Sequence, residues 1–140
     1  MGARVSVAEH PPPDTERRTI RLLSVDDQVL FREATRAVVA LMPDFEVVAE
    51  AADGDEAIRL AREVDPDMVI LDVRMLGRDG FDTASVLTRE DPTRVVVLVS
   101  SADVRELSAL ARASGAAALL RKHWLTPRLL RGLWVAHRRR

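Results

Sequence analysis

The amino-acid sequence predicts an α/β fold, a doubly wound sheet of five parallel strands in the order 2-1-3-4-5 with five helices. Apolar runs of strand length alternate five times with segments of helical periodicity, which is typical of a parallel sheet covered by helices on both faces. The run at residues 68–71 contains no polar residue, as expected of a strand buried on both faces. Right-handed crossovers leave few topologies for such a chain, and this strand order is the one we expect.

The elements follow one another along the chain with recognisable start and stop signals. Strands are predicted at residues 20–25, 45–49, 67–71, 94–99 and 117–120, and helices at 29–41, 57–64, 81–89, 103–113 and 127–138. Thr126 is the expected cap of the last helix, Pro127 its first residue, and Gly115 follows the fourth helix. In the first helix, spacing predicts one apolar face, formed by Leu30, Ala34, Ala37, Val38 and Leu41.

Length and composition bound the class of protein. The chain has 140 residues, 47% of them hydrophobic, which is enough for one domain with a substantial core. We expect a folded domain over residues 19–138, a flexible arm over residues 1–18 that holds three consecutive prolines, and no output domain. The net charge of −1 argues against a protein that binds nucleic acid or a membrane surface.

Other classes are excluded by what the sequence lacks. The absence of cysteine excludes disulfides and thiolate metal sites. The chain has no apolar stretch of 18 residues and does not open with a signal peptide, so we expect a cytoplasmic protein. Among 21 basic residues Lys122 is the only lysine. A site that needs one compact, flexible cation would explain this exception, and chance is the alternative.

Polar and charged residues follow the strands at one edge of the predicted sheet. Asp26 and Asp27 end the first strand, Asp72 ends the third, Ser100 ends the fourth and Lys122 follows the fifth. The first and third strands are neighbours in the predicted order, and the crevice opens beside them. Three converging carboxylates repel one another and need a cation, and Mg²⁺ prefers carboxylate and carbonyl oxygens. Together with an ammonium and a hydroxyl they predict a site for a phosphoryl group.

The residues at this edge resemble those of the receiver domain of two-component response regulators, a family with a flavodoxin-like fold. The resemblance covers residues 20–137 and rests on sequence blocks in the family's order and spacing: Val25-Asp26-Asp27, residues 71–75 with Gly77 and Asp79-Gly80, Ser100, Gly115-Ala116 and Lys122. Residues 30–33 and 51–54 are most similar to receivers that precede a LuxR-type helix-turn-helix domain.

The resemblance implies a role for each residue at the edge of the sheet. Asp72 is the implied phospho-acceptor, Ser100 the switch hydroxyl, and Lys122 the cation that pairs with the phosphoryl group. Mg²⁺ is implied as cofactor, held by Asp26, Asp27, Asp72 and the backbone carbonyl of Arg74. Two assignments stay open at this point. Ser101 is the alternative to Ser100 as the switch hydroxyl, and the spacing to Lys122 favours Ser100. For Asp27, the alternative to a metal ligand is the cap of the first helix.

The implied function is a phosphoacceptor receiver whose surface, formed by the fourth helix, the fifth strand and the fifth helix, switches on phosphorylation. Its expected partners are a sensor histidine kinase or a phosphotransfer protein, and a second copy of the chain in a homodimer. We expect no enzyme activity, no membrane contact, and DNA contact only through an output domain absent from this chain.

Three residues depart from the family's pattern. Leu76 replaces the usual proline, Leu119 replaces the usual aromatic switch residue, and His123 follows the lysine where proline or an acidic residue is common. Without an aromatic ring at residue 119, inward rotation of a ring cannot be the readout. The alternative function is therefore a receiver-fold interaction module that does not depend on phosphorylation.

Overall fold

The computed structural model describes residues 18–138, so that residues 1–17 of the predicted arm lie outside the described residues. Its five strands are parallel and stand in the order β2-β1-β3-β4-β5. They are β1 (Ile20–Val25), β2 (Phe45–Ala51), β3 (Met68–Asp72), β4 (Val95–Ser100) and β5 (Ala118–Arg121). The α-helices are α1 (Val29–Ala40), α2 (Gly54–Val64), α3 (Gly80–Glu90), α4 (Ser108–Ala113) and α5 (Pro127–His137). The predicted fold class and strand order are confirmed.

The sheet separates two apolar layers because successive side chains of a strand point to opposite faces. Leu23, Leu71 and Leu98 belong to the layer shared with α2 and α3. Leu22 and Ile70 belong to the layer shared with α1 and α5. Every residue of β3 and β4 is buried, which explains why these two runs lack polar alternation. The buried strands β3 and β4 thus place their last residues, Asp72 and Ser100, at the same edge of the sheet.

Three helices begin with the capping side chains that satisfy free backbone N–H groups. Asp53 accepts a hydrogen bond from the Glu56 backbone N–H at 2.8 Å, and Asp79 caps α3 in the same way at 2.8 Å. Thr126 caps α5 through Leu129 at 3.2 Å, with proline at the first position. The predicted cap of the last helix is confirmed.

The predicted apolar face of α1 is wrong except at Val38, which packs against the core. Leu30 is 79% exposed and Leu41 73% exposed, whereas the helix packs inward through a neighbouring face that includes Phe31, Thr35 and Val39. The apolar residues of this helix fit two overlapping stripes of helical spacing. Periodicity could not choose between them, because the choice depends on how the helix docks on the sheet.

The segment predicted as one helix over residues 103–113 is divided. A 3₁₀-helix covers Val104–Leu107 before α4 begins. The Asp103 carboxylate accepts a hydrogen bond from the backbone N–H of Arg105, two residues on, at 2.9 Å. A side-chain bond at this short range competes with α-helical pairing and favours a tighter turn. Among residues 18–138, no helix is long and apolar enough to cross a membrane.

Candidate functional site

Three carboxylates meet at the carboxyl ends of β1 and β3. Oxygen atoms of Asp26, Asp27 and Asp72 all lie within 4.8 Å of one another. Asp26 is fully buried, Asp72 is 5% exposed and Asp27 is exposed. The paired strands β1 and β3 bring the first two residues to the third, although Asp27 and Asp72 are 45 residues apart in sequence. The convergence predicted from strand order is therefore present in the structure.

The hydrogen bonds of the two buried carboxylates leave part of their negative charge unmatched. Asp26 Oδ1 accepts the backbone N–H of Gln28 at 2.8 Å, and Asp72 Oδ1 accepts that of Arg74 at 3.3 Å. Asp26 Oδ2 is buried and accepts no hydrogen bond. The pKa of Asp72 is raised to about 6, chiefly by burial and then by the charge of Asp26, while the charge of Lys122 acts in the opposite direction.

Lys122 supplies the positive charge nearest to these carboxylates. Its Nζ atom forms an ion pair with Asp26 Oδ2 at 2.7 Å and lies 3.6 Å from Asp72 Oδ2. The same atom donates a hydrogen bond to Gln28 Oε1 at 3.1 Å and lies 4.8 Å from the centre of the Phe31 ring. The only lysine of the chain is thus at the acidic site, in agreement with the need for one compact cation.

The residues present fit a hard divalent cation. The three carboxylates provide more negative charge than the single ammonium of Lys122 balances. One of their oxygens, Asp26 Oδ2, is buried and has no hydrogen bond beyond that ion pair. Mg²⁺ is usually held by one or two carboxylates and completes its octahedral shell with waters. Asp26, Asp27 and Asp72 would hold such an ion. The backbone carbonyl of Arg74, in the loop after β3, is the further ligand that the family resemblance implies.

Close packing holds the loop after β3. The backbone N–H of Gly80 donates to the Val73 carbonyl at 2.9 Å, and a Cβ at Gly80 would lie only 2.2 Å from the Asp72 carbonyl oxygen. Gly77 has φ 79°, a conformation that favours glycine. Leu76, in place of the usual proline, is 84% exposed. The two glycines, rather than residue 76, therefore define the path of this loop.

The two candidate hydroxyls have different environments. Ser100 is 1% exposed at the end of β4, and its Oγ accepts a hydrogen bond from the Ala102 backbone N–H at 3.0 Å. Ser101 is exposed in the following turn. The position of Ser100, one residue beyond the pairing of Asp72 with Val99, keeps it next to the acidic site. The alternative that Asp27 caps α1 is wrong, because Gln28 is the capping residue and no side chain caps it.

Leu119 lies where the family usually has an aromatic residue. It is partly buried and packs against the core layer that contains Leu98. Beside it, an open depression of about 430 Å³ lies between β5 and the segment over residues 104–112. Its wall includes Ala116, Ala117 and Ala118.

The sequence model of the response regulator receiver domain matches residues 22–133. The chain belongs to this family. It is therefore a receiver domain of two-component signalling, and the family resemblance predicted from the sequence is confirmed. Receiver domains bind Mg²⁺ at an acidic pocket of the kind formed here by the three aspartates.

Individual relatives agree with this assignment. The chain is 45% identical over 84 residues to protein-glutamate methylesterase/protein-glutamine glutaminase 2 of Anaeromyxobacter dehalogenans, covering 60% of this chain and 25% of that protein. It is 41% identical over 86 residues to the transcriptional regulatory protein LiaR of Bacillus subtilis, covering 60% and 40%.

A solved structure gives the same result for the fold. The signal receiver domain of the response regulator NarL from Mycobacterium tuberculosis matches with a TM-score of 0.76 and 30% identity, covering 86% of this chain and 97% of that domain. A two-component response regulator of the LuxR family from Aurantimonas sp. SI85-9A1 also matches, with a TM-score of 0.77 and 28% identity, covering 86% of this chain and 88% of that chain. The receiver spans less than half the length of the two curated relatives.

Two residues at the site were missed by sequence reasoning. Gln28 and Phe31 both contact the ammonium of Lys122. Gln28 lies directly after the acidic pair as the cap of α1, and Phe31 lies three residues beyond it in the first turn of the helix. That spacing was the available signal, since residues three apart share a helix face. Nothing local in the sequence reveals that residue 122 reaches them.

Proposed function

We propose that the domain is a phosphoacceptor switch in which Asp72 receives a phosphoryl group from a phosphohistidine of a sensor kinase or phosphotransfer protein. The observation that carries the proposal is the position of the Asp72 carboxylate, at the mouth of a pocket with two further carboxylates and one ammonium. A buried carboxylate that lies beside a cation and has a raised pKa is typical of a reactive rather than a structural group.

The proposed transfer is a displacement at phosphorus. A carboxylate oxygen of Asp72 forms the new P–O bond as the P–N bond to the donor histidine breaks, and the electron pair of that bond leaves with the imidazole nitrogen. Bound Mg²⁺ would neutralise charge on the phosphoryl oxygens. Asp26, Asp27 and the Arg74 carbonyl would hold that ion together with Asp72. Lys122, 3.6 Å from Asp72 Oδ2, would pair with a phosphoryl oxygen.

Ser100 is the proposed switch hydroxyl. Its Oγ now accepts a hydrogen bond from Ala102, and turning toward a phosphoryl oxygen would break this bond and release the turn before residues 104–107. The expected output surface is α4, β5 and α5. Since Leu119 already packs against the core, the readout there would be movement of the α4 segment over the depression beside Leu119, not rotation of a ring.

The remaining expectations follow from this role. The domain would act by binding partners and not by catalysing turnover of a substrate, although proteins named as methylesterases are among its relatives. A second copy of the chain is a proposed partner of the α4–β5–α5 surface. DNA would be reached through an output domain, and a cytoplasmic location stays a prediction.

Phosphoryl uptake from acetyl phosphate tests the proposal. Wild type, Asp72→Asn and Asp55→Asn would be incubated with and without Mg²⁺ and resolved on a phosphate-affinity gel, with size exclusion in parallel. Asp55 is a matched control because its exposed carboxylate pairs with Arg78 outside the site. We expect a Mg²⁺-dependent shift in wild type and Asp55→Asn that is absent from Asp72→Asn.

The outcome distinguishes the two candidate functions. A shift accompanied by a change in elution would mean that phosphorylation drives assembly. If wild type takes up no phosphoryl group at saturating donor and Mg²⁺, the phosphoacceptor proposal is wrong. The phosphorylation-independent interaction module, which the aliphatic Leu119 favours, would then be the better description.

A further inference from the structure

The side chain of Lys122 is held by two residues of α1. Its Nζ atom contacts Gln28 Oε1 at 3.1 Å and lies 4.8 Å from the Phe31 ring centre. Neither residue is a carboxylate, and neither belongs to the proposed metal ligands. Both place the ammonium on the Asp26 side of the pocket, at 2.7 Å from Asp26 Oδ2 against 3.6 Å from Asp72 Oδ2.

We propose that Gln28 and Phe31 are positioning residues that hold Lys122 on Asp26 in the metal-free domain, so that Mg²⁺ binding and release of the lysine are coupled. This inference rests on the magnesium site of the proposed function, but not on phosphorylation itself. It assigns a role in the site to two residues of α1 that contribute neither a metal ligand nor a phospho-acceptor.

The ammonium of Lys122 is paired with the buried carboxylate of Asp26. Asp26 Oδ2 is fully buried and accepts no hydrogen bond, so the ammonium is its only close partner among the described residues. A divalent cation at the three carboxylates would draw on the same negative charge. Each contact that stabilises the ammonium at Asp26 therefore weakens Mg²⁺ binding if the contact is lost when the metal binds. The loss in binding free energy equals the free energy that the contact contributes to the metal-free state.

The contacts of Gln28 and Phe31 are suited to holding one small cation. An amide oxygen accepts from an ammonium in a charge-assisted hydrogen bond, and an aromatic face attracts a cation within about 6 Å of its centre. The side chain of Lys122 is only 13% exposed, which limits screening by solvent. A cation–π contact of this kind alters an equilibrium by about threefold to tenfold.

Mg²⁺ affinity measured by calorimetry tests the proposal. Phe31→Leu and Gln28→Ala should each bind Mg²⁺ about threefold to tenfold more tightly than wild type. Phe31→Tyr keeps the aromatic face and should match wild type. Leu30→Ala is the matched control, since Leu30 is a 79% exposed neighbour on α1 with no contact to the lysine. Far-UV circular dichroism would check that each variant is folded.

A double-mutant cycle separates positioning from a general effect on the fold. Lys122→Met removes the ammonium and should itself tighten Mg²⁺ binding. In that background, Phe31→Leu and Gln28→Ala should have no further effect. If either variant tightens Mg²⁺ binding equally with and without Lys122, or leaves the affinity of wild type unchanged, the proposed positioning role is wrong.

The lysine can also be observed directly because it is the only one in the chain. Protein labelled with ¹³C-lysine should give one side-chain ε-methylene signal. Ring current from Phe31 should move its protons upfield relative to Phe31→Leu, and titration with Mg²⁺ should abolish that difference. An ε-methylene signal that is the same in both proteins and insensitive to Mg²⁺ would overturn the inference.

Failure of the inference can be told apart from failure of the proposed function. If wild type does not bind Mg²⁺ at all, the magnesium site and the inference are both wrong. If Mg²⁺ binds and the variants behave as expected but acetyl phosphate leaves Asp72 unmodified, only the phosphoacceptor function is wrong. If phosphorylation proceeds but the affinities of Phe31→Leu and Gln28→Ala equal that of wild type, only the positioning role is wrong.

Discussion

Replacing Asp72 by asparagine should stabilise the metal-free fold at neutral pH. Burial raises the pKa of this carboxyl from 3.8 to about 6, so the folded chain holds the proton more tightly than the unfolded chain. Ionising Asp72 therefore costs folding free energy. A pKa difference of about two corresponds to about 3 kcal/mol. Asparagine has nearly the same shape and no charge, and would recover up to that amount at neutral pH.

The gain should depend on pH in a defined direction. Below the unfolded pKa of 3.8 the carboxyl is protonated in both states, so variant and wild type should be equally stable. As the pH rises toward about 6 the unfolded chain loses its proton first, and wild type falls progressively below the variant. Above that pH the difference should stay constant.

Thermal unfolding in the presence of EDTA, followed by tryptophan fluorescence, measures this difference. Near neutral pH we expect a melting temperature about 10 °C higher for Asp72→Asn, at about 4 °C per kcal/mol for a domain of this size. Adding Mg²⁺ should then stabilise wild type more than the variant, because only the complete site binds the ion well. Asp55→Asn should change little, since its carboxylate is exposed.

The reasoning would be refuted by either of two results. If Asp72→Asn were less stable than wild type at neutral pH, the ionised carboxylate of Asp72 would stabilise the fold and not destabilise it. If the variant were equally stabilised near pH 4 and near pH 7, the gain would have a cause other than removal of a charge.

Four further predictions concern single residues. Gly80→Ala should destabilise the fold by about 2–3 kcal/mol in urea unfolding, because the added Cβ would lie 2.2 Å from the Asp72 carbonyl oxygen and backbone would have to move. Gly132→Ala, with nothing within 4 Å of the added carbon, should instead stabilise α5 by up to about 1 kcal/mol, and equal effects at the two glycines would contradict the steric argument. Lys122→Arg should impair phosphorylation-driven switching, because a planar guanidinium does not replace a compact ammonium; wild-type phosphoryl uptake together with a wild-type elution change would remove this idea. Arg94→Met should cost about 2–3 kcal/mol, since its buried guanidinium donates to the last carbonyls of α2 and α3 at 3.3 and 3.2 Å, and a melting temperature equal to that of wild type would show that those bonds contribute nothing.

Patterns local in sequence predicted most of the fold. The apolar run of β3 and the alternation with helices were sufficient for the strand order, because handedness restricts how parallel strands connect. The capping side chain of α5 was found from Thr126 and Pro127 alone. Local patterns failed where two solutions fit equally well, as in α1, or where a side chain competes with the backbone, as Asp103 does before α4.

The sequence by itself determined the class of the sheet, the edge at which its polar residues end, and the meeting of Asp26, Asp27 and Asp72 at that edge. These follow from periodicity and from the parallel direction of the strands, which are properties of short segments. Only the tertiary structure decided how buried each carboxylate is, that Lys122 lies nearer to Asp26 than to Asp72, and that Gln28 and Phe31 contact it. Gln28 and Lys122 are 94 residues apart, and contacts of that range depend on how α1 and the end of β5 pack across the sheet, which no local pattern encodes.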